Sequence, residues 1–144
     1  MASSQCWYWR AKSPFSHPAR IQTAAKHAPD AALFGAEPPA DWCTFFEKGD
    51  LARQYQHWDE AIRIYQQAES SGFVARSGGE YLPFIEAYVR RLEFSKALDL
   101  STQAAAITRN LGPLLCSNWA RMGQSIQIPP TVLDQVRSSF ACSW

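Results

Sequence analysis

The sequence predicts an all-α chain built of antiparallel helical hairpins stacked on one another and closed by a C-terminal capping helix. Two observations predict this. From Trp42 onward, apolar residues recur at spacings of three and four, which lines one face of a helix. The pattern then repeats. Trp58 precedes Ala61 and Ala68 as Phe94 precedes Ala97 and Ala104, and the two sets lie 36 residues apart. A small residue lets two antiparallel helices approach closely, and the aromatic residue fills the corner beside it.

Each element follows from local chemistry. Residues 1–40 carry Pro14, Pro18, Pro29, Pro38 and Pro39. Proline removes an amide donor and blocks helix interiors, so this segment is expected to be mostly irregular. Ala19–Ala28 could form a short helix there. Residues 41–144 form the helical domain. Asp41 can cap a first helix by accepting amide hydrogen bonds. Trp42, Phe45, Phe46, Gly49, Ala52 and Tyr55 supply its apolar face. Gln56 and His57 break it. Trp58 opens a second helix, with Asp59 and Glu60 where negative charge suits the helix dipole. Gly72 is placed to end it. Ser77 and Glu80 have the spacing of a capping box for a third helix, which carries Tyr81, Phe84, Ile85 and Tyr88. A turn at Arg91–Glu93 leads to a fourth helix, which carries Phe94, Ala97, Leu98, Ala104, Ala105 and Ile107, and Asn110–Pro113 is a stop signal. Leu114–Met122 reads as a fifth helix. Thr131 can cap a last one, whose Val132, Val136 and Phe140 form a stripe suited to covering the end of a stack. Asp59 with Arg63, and Glu86 with Arg90, are spaced as ion pairs on solvated helix faces.

Composition narrows the function classes. The net charge is +1, so no basic excess exists to neutralise a phosphate backbone, and nucleic-acid binding is not expected. No apolar run approaches the roughly 20 residues that span a bilayer, so direct membrane insertion is not expected. The first residues lack the charged-then-apolar order of a secretory signal. Arg10, Lys12, Arg20 and Lys26 with no acidic neighbour suit either a transit peptide or a basic tail. Cys6, Cys43, Cys116 and Cys142 are dispersed, as are His17, His27 and His57. No metal or other cofactor is expected, because zinc ligands normally come in close pairs. The cysteines read as free thiols in a reducing, cytoplasmic setting. Glu47, Asp50 and Glu86 are the carboxylates that acid–base chemistry would need, yet no nucleophile–base pair accompanies them, and no enzyme is expected.

The alanine and aromatic positions over residues 42–109 resemble the tetratricopeptide repeat family. The first unit departs from its pattern at Lys48, and Ser101 stands where an aromatic residue is usual. The resemblance implies a protein–protein interaction scaffold whose groove is lined by the first helix of each hairpin. Carried over by position, that groove presents Phe46, Asp50, Arg53 and Gln54, then Leu82, Glu86, Val89 and Arg90. Mixed charge with apolar anchors suits a protein or peptide laid in the groove. Two hairpins are fewer than such stacks usually need, so self-association or packing of the N-terminal segment could complete the stack.

A second resemblance runs through Leu33–Arg53, Tyr81–Tyr88 and Pro113–Trp119. These stretches are similar to the soluble C-terminal region of bacterial multi-span membrane proteins of the glycosyltransferase type. That resemblance implies an accessory or remnant soluble domain with a membrane transferase as partner.

Overall fold

The structure, a computed structural model, describes residues 31–35 and 39–144. The expected helix at Ala19–Ala28 lies outside the described residues. Among the described residues, seven α-helices follow one another: α1 (Ala31–Phe34), α2 (Trp42–Gln54), α3 (Trp58–Ser70), α4 (Leu82–Arg90), α5 (Phe94–Ile107), α6 (Gly112–Gly123) and α7 (Pro130–Phe140). A 3-10 turn, Gly78–Tyr81, leads into α4. No strand occurs among the described residues, so the chain is all-α over that span. No helix there is long and apolar enough to cross a membrane. The single turn α1 falls in the stretch expected to be irregular.

Helix ends obey the local rules in some places and not in others. Asp41 caps α2: its Oδ1 accepts from the Thr44 amide at 3.0 Å. Pairing of Asp41 with the Thr44 hydroxyl closes a reciprocal capping box. At the start of α4 the expected box does not form. Ser77 makes no side-chain cap, and the Glu80 carboxylate accepts instead from the Arg76 amide at 3.2 Å. The 3-10 turn intervenes because Gly78 sits against the end of α5. A side chain there would collide with the Ala104 carbonyl. The Gly78 amide also donates to Thr108 Oγ1 at 2.8 Å. Helix α6 starts two residues before Leu114, at Gly112, because Pro113 fits the first turn. Helix α7 starts at Pro130, and Thr131 does not cap it.

The two hairpin turns share one geometry. Gln56 has φ 59° and Leu92 has φ 62°, both left-handed. In the first turn the Gln56 amide donates to Arg53 O and the His57 amide to Ala52 O. In the second, Leu92 donates to Val89 O and Glu93 to Tyr88 O. Paired bonds of this kind satisfy the last carbonyls of a helix. Gly72, at φ 76°, ends α3 in the same way, as the sequence predicts.

Packing follows the small residues. Ala61, Ala68, Ala97 and Ala104 are fully buried where α3 meets α2 and α5 meets α4. Gly49 on α2 faces Phe84 on α4, and a Cβ there would overlap the Phe84 ring. Tyr65 lies at the centre of the aromatic core. Its ring meets Phe84 at 5.3 Å and stands edge-on to Tyr81 and Tyr88. Trp42 stands edge-on to Tyr81 at 5.3 Å. Such offset and edge contacts add about 0.5–1.5 kcal/mol per pair beyond burial. Helices α6 and α7 pack together and touch α4 and α5 respectively.

The free-thiol expectation is overturned. Cys116 on α6 and Cys142 beyond α7 form a disulfide, their Cα atoms 5.5 Å apart, and Cys43 is also disulfide-bonded. Cys6 lies outside the described residues. Wide sequence spacing concealed the pairing, because the folded turn between α6 and α7 brings the two positions together.

Candidate functional site

Helices α2, α4 and α6 meet along one face, and charged residues gather at their junction. Glu86, on α4, is 5% exposed. Arginines from three helices reach it. Arg53 Nη1 on α2 approaches Glu86 Oε2 at 3.6 Å. Arg90 Nη2 on α4 approaches Oε1 at 3.5 Å. Arg121 on α6 donates through Nη2 to Oε2 at 3.1 Å and through Nη1 to Oε1 at 3.4 Å. A buried carboxylate needs partners of this kind, since desolvating it alone would cost several kcal/mol. The periodicity marks Glu86 and Arg90 as a pair on a solvated face; the pair forms, but Glu86 is buried beneath the arginines.

A second carboxylate fixes Arg53. Its Nε donates to Asp50 Oδ1 at 2.8 Å, and Gln54 Nε2 donates to Asp50 Oδ2 at 2.9 Å. On α6, Arg121 Nη2 also donates to Asn118 Oδ1 at 2.8 Å. Arg90 stacks over the Trp58 ring, 5.4 Å from its centroid. Among the described residues, three guanidiniums thus face two carboxylates, an excess of one positive charge.

Two clefts adjoin this network. One, of about 160 Å³, is lined by Asp50, Arg53, Leu82, Pro83, Glu86, Asn118 and Arg121. The other, about 510 Å³, is lined by Arg53, Gln54, Gln56, Trp58, Glu86 and Arg90. Both share Arg53 and Glu86, so the groove runs past them on either side. A larger cleft of about 580 Å³ lies between α2 and α3, lined in part by Phe45, Leu51, Tyr55 and Ile64.

Of the groove residues named from the sequence, Asp50, Arg53, Gln54, Leu82, Glu86 and Arg90 come together at this face. Phe46 and Val89 do not line it. Both are buried, at 5% and 0% exposure, although each shares a helical stripe with a groove residue three or four positions away. Glu47 is exposed on α2, while Asp50 and Glu86 are both engaged by Arg53. The pair expected between Asp59 and Arg63 does not form. Arg63 bonds Glu60 instead, and Asp59 pairs with Arg91 across the hairpins at 2.7 Å.

The sequence reading missed Asn118 and Arg121. A signal for them existed. Asp50 and Arg53 are spaced by three on α2, and Asn118 and Arg121 repeat that spacing on α6. Confining the repeat to residues 42–109 hid it.

No protein-family model matches the chain, and neither a curated protein nor a solved structure matches it.

Proposed function

We propose that the protein is a non-catalytic interaction scaffold of the tetratricopeptide type, which holds a segment of a partner protein along the face formed by α2, α4 and α6. The observation that carries this reading is the Glu86 network. It locks three helices together at the floor of a groove and leaves arginine donors at its surface. A rigid polar floor with Leu82 and Trp58 at its sides suits an extended peptide. The 36-residue offset of the hairpin turns supports the repeat assignment, with α6 and α7 as a third hairpin that serves as the terminal unit. A catalytic role is less well supported, because Asp50 and Glu86 are both held in ion pairs.

The test is selection from a displayed library of random peptides, followed by titration of the winners. Changing Arg53 and Arg90 together to glutamate, with helicity unchanged by circular dichroism, should weaken binding at least about tenfold, or 1.4 kcal/mol. Undiminished binding would place the ligand elsewhere.

The disulfides favour a second reading. They suit an oxidising compartment rather than a cytoplasmic one. A soluble domain attached to a membrane glycosyltransferase-like protein, on its outward side, fits that setting. Recovery of such a transferase on affinity purification from membranes favours this reading, and recovery of soluble partners alone counts against it.

A further inference from the structure

Among the described residues, the two buried side-chain atoms without a partner at the Glu86 junction are both donors. Asn118 is 9% exposed, and it lines the smaller cleft. Its Oδ1 is taken by Arg121, which fixes the amide with Nδ2 as the free end. Nδ2 is buried and has no partner. Arg90 Nε, in the adjoining cleft, is likewise buried without a partner. Arg121 keeps a side chain that is 52% exposed, at the rim. A buried donor left unsatisfied costs about 1–3 kcal/mol, so each of the two clefts, holding one such donor, is matched to an acceptor supplied from outside. The surplus of arginine over carboxylate makes an anionic acceptor the best match. Charge-assisted bonds from guanidinium to carboxylate are roughly twice as strong as neutral ones.

The groove also continues on both sides of Arg53 and Glu86. A bound chain therefore need not end at the cleft. We infer that this cleft takes the carboxylate of an aspartate or glutamate side chain, presented within a partner segment that runs through the groove, with Asn118 Nδ2 and Arg121 as its main donors. This rests on the scaffold reading and names the chemistry of its ligand. The carboxylate would draw Arg121 toward itself, while Glu86 keeps Arg53 and Arg90. Only the most exposed of the three arginines thus needs to move.

The experiment uses the oxidised full chain and a short peptide of alternating serine and glutamate, acetylated and amidated at its ends. A glutamine-for-glutamate peptide is the control. Nitrogen–proton spectra follow the Asn118 side-chain amide and the arginine Nε–H groups. A saturable shift of the Asn118 amide with the glutamate peptide, at least about tenfold weaker with the glutamine peptide, is expected. Asn118→Leu removes the donors at similar size and should abolish the shifts at Arg121. If that variant fails to fold, Arg121→Gln, at an exposed position, serves instead and should weaken binding by a similar factor. Equal binding of the glutamine peptide, or no saturable shift at millimolar peptide, would overturn the inference. So would binding that needs a free C-terminal carboxylate. Library-selected peptides that occupy the groove but carry no acidic residue would sink this inference alone. Absence of any groove-binding peptide would remove the scaffold reading with it.

Discussion

Trp119 donates its indole Nε1–H to Ser101 Oγ at 3.1 Å, and both residues are fully buried. Ser101 in turn donates its hydroxyl to Ala97 O at 2.7 Å. This pair gives the buried Ser101 hydroxyl both an acceptor and a donor. Ser101 is fully buried against the indole from α6, which leaves little room for a larger side chain. Ser101→Phe should therefore destabilise the protein by about 1–3 kcal/mol through overpacking. Ser101→Ala, which strands the indole N–H, should cost about 1–3 kcal/mol. In Trp119→Phe the cost of Ser101→Ala should shrink. Urea denaturation of the four proteins in a double-mutant cycle measures this, and strict additivity would contradict the pairing.

The hairpin turns are strained by their sequence. Gln56 and Leu92 occupy left-handed conformations that glycine adopts without steric cost. Gln56→Gly and Leu92→Gly should each stabilise the chain by about 1 kcal/mol, the lower end of the penalty for a left-handed residue. Thermal melts read the gain. A loss of stability in either variant would mean that its turn differs from the Gly72 turn.

The Cys116–Cys142 bond ties α6 to the second residue after the end of α7. It spans 26 residues of sequence. By loop entropy, its removal should cost about 3.5 kcal/mol. The double variant Cys116→Ala with Cys142→Ala should melt well below the oxidised parent but, because it keeps the Cys43 disulfide, above the fully reduced one. An unchanged melting temperature on reduction would show that the α6–α7 packing needs no such tie.

Burial pushes the hydroxyls of Tyr65, Tyr81 and Tyr88 above their ordinary value of 10.0, and nearby Glu69 adds to the effect at Tyr65. The folded chain holds these protons to higher pH than the unfolded chain does. Their contribution to stability is complete below about pH 10 and is lost as the pH rises beyond it. Tyrosinate absorbance should lag behind that of an unfolded control, then rise together with loss of helical circular dichroism. Ionisation of the buried tyrosines at the ordinary pH, with helix intact, would contradict the packing around Tyr65.

Period and capping chemistry made the helices legible. Ala61 and Ala97 announce the hairpins because only small residues permit the approach, and Asp41 announces α2 because a carboxylate satisfies its first amides. Burial was less legible. Glu86 and Arg90 have the spacing of a surface pair, and nothing local reveals that Arg53 and Arg121 close over Glu86 from other helices. Phe46 lies four residues before Asp50 and Val89 three after Glu86, on the same helical stripes as the groove residues, so spacing alone does not reveal that both are buried. The disulfide depends on the turn between α6 and α7, which spacing alone does not encode.

The central claim is that the face of α2, α4 and α6 holds the ligand. A photo-reactive amino acid placed at Gln54, exposed beside the groove, and another at Gln103, exposed on α5, test it directly. With a library-selected peptide bound, illumination should give a covalent adduct from position 54 and little from position 103. Adducts from position 103 alone, or equal yields from both, would contradict the account.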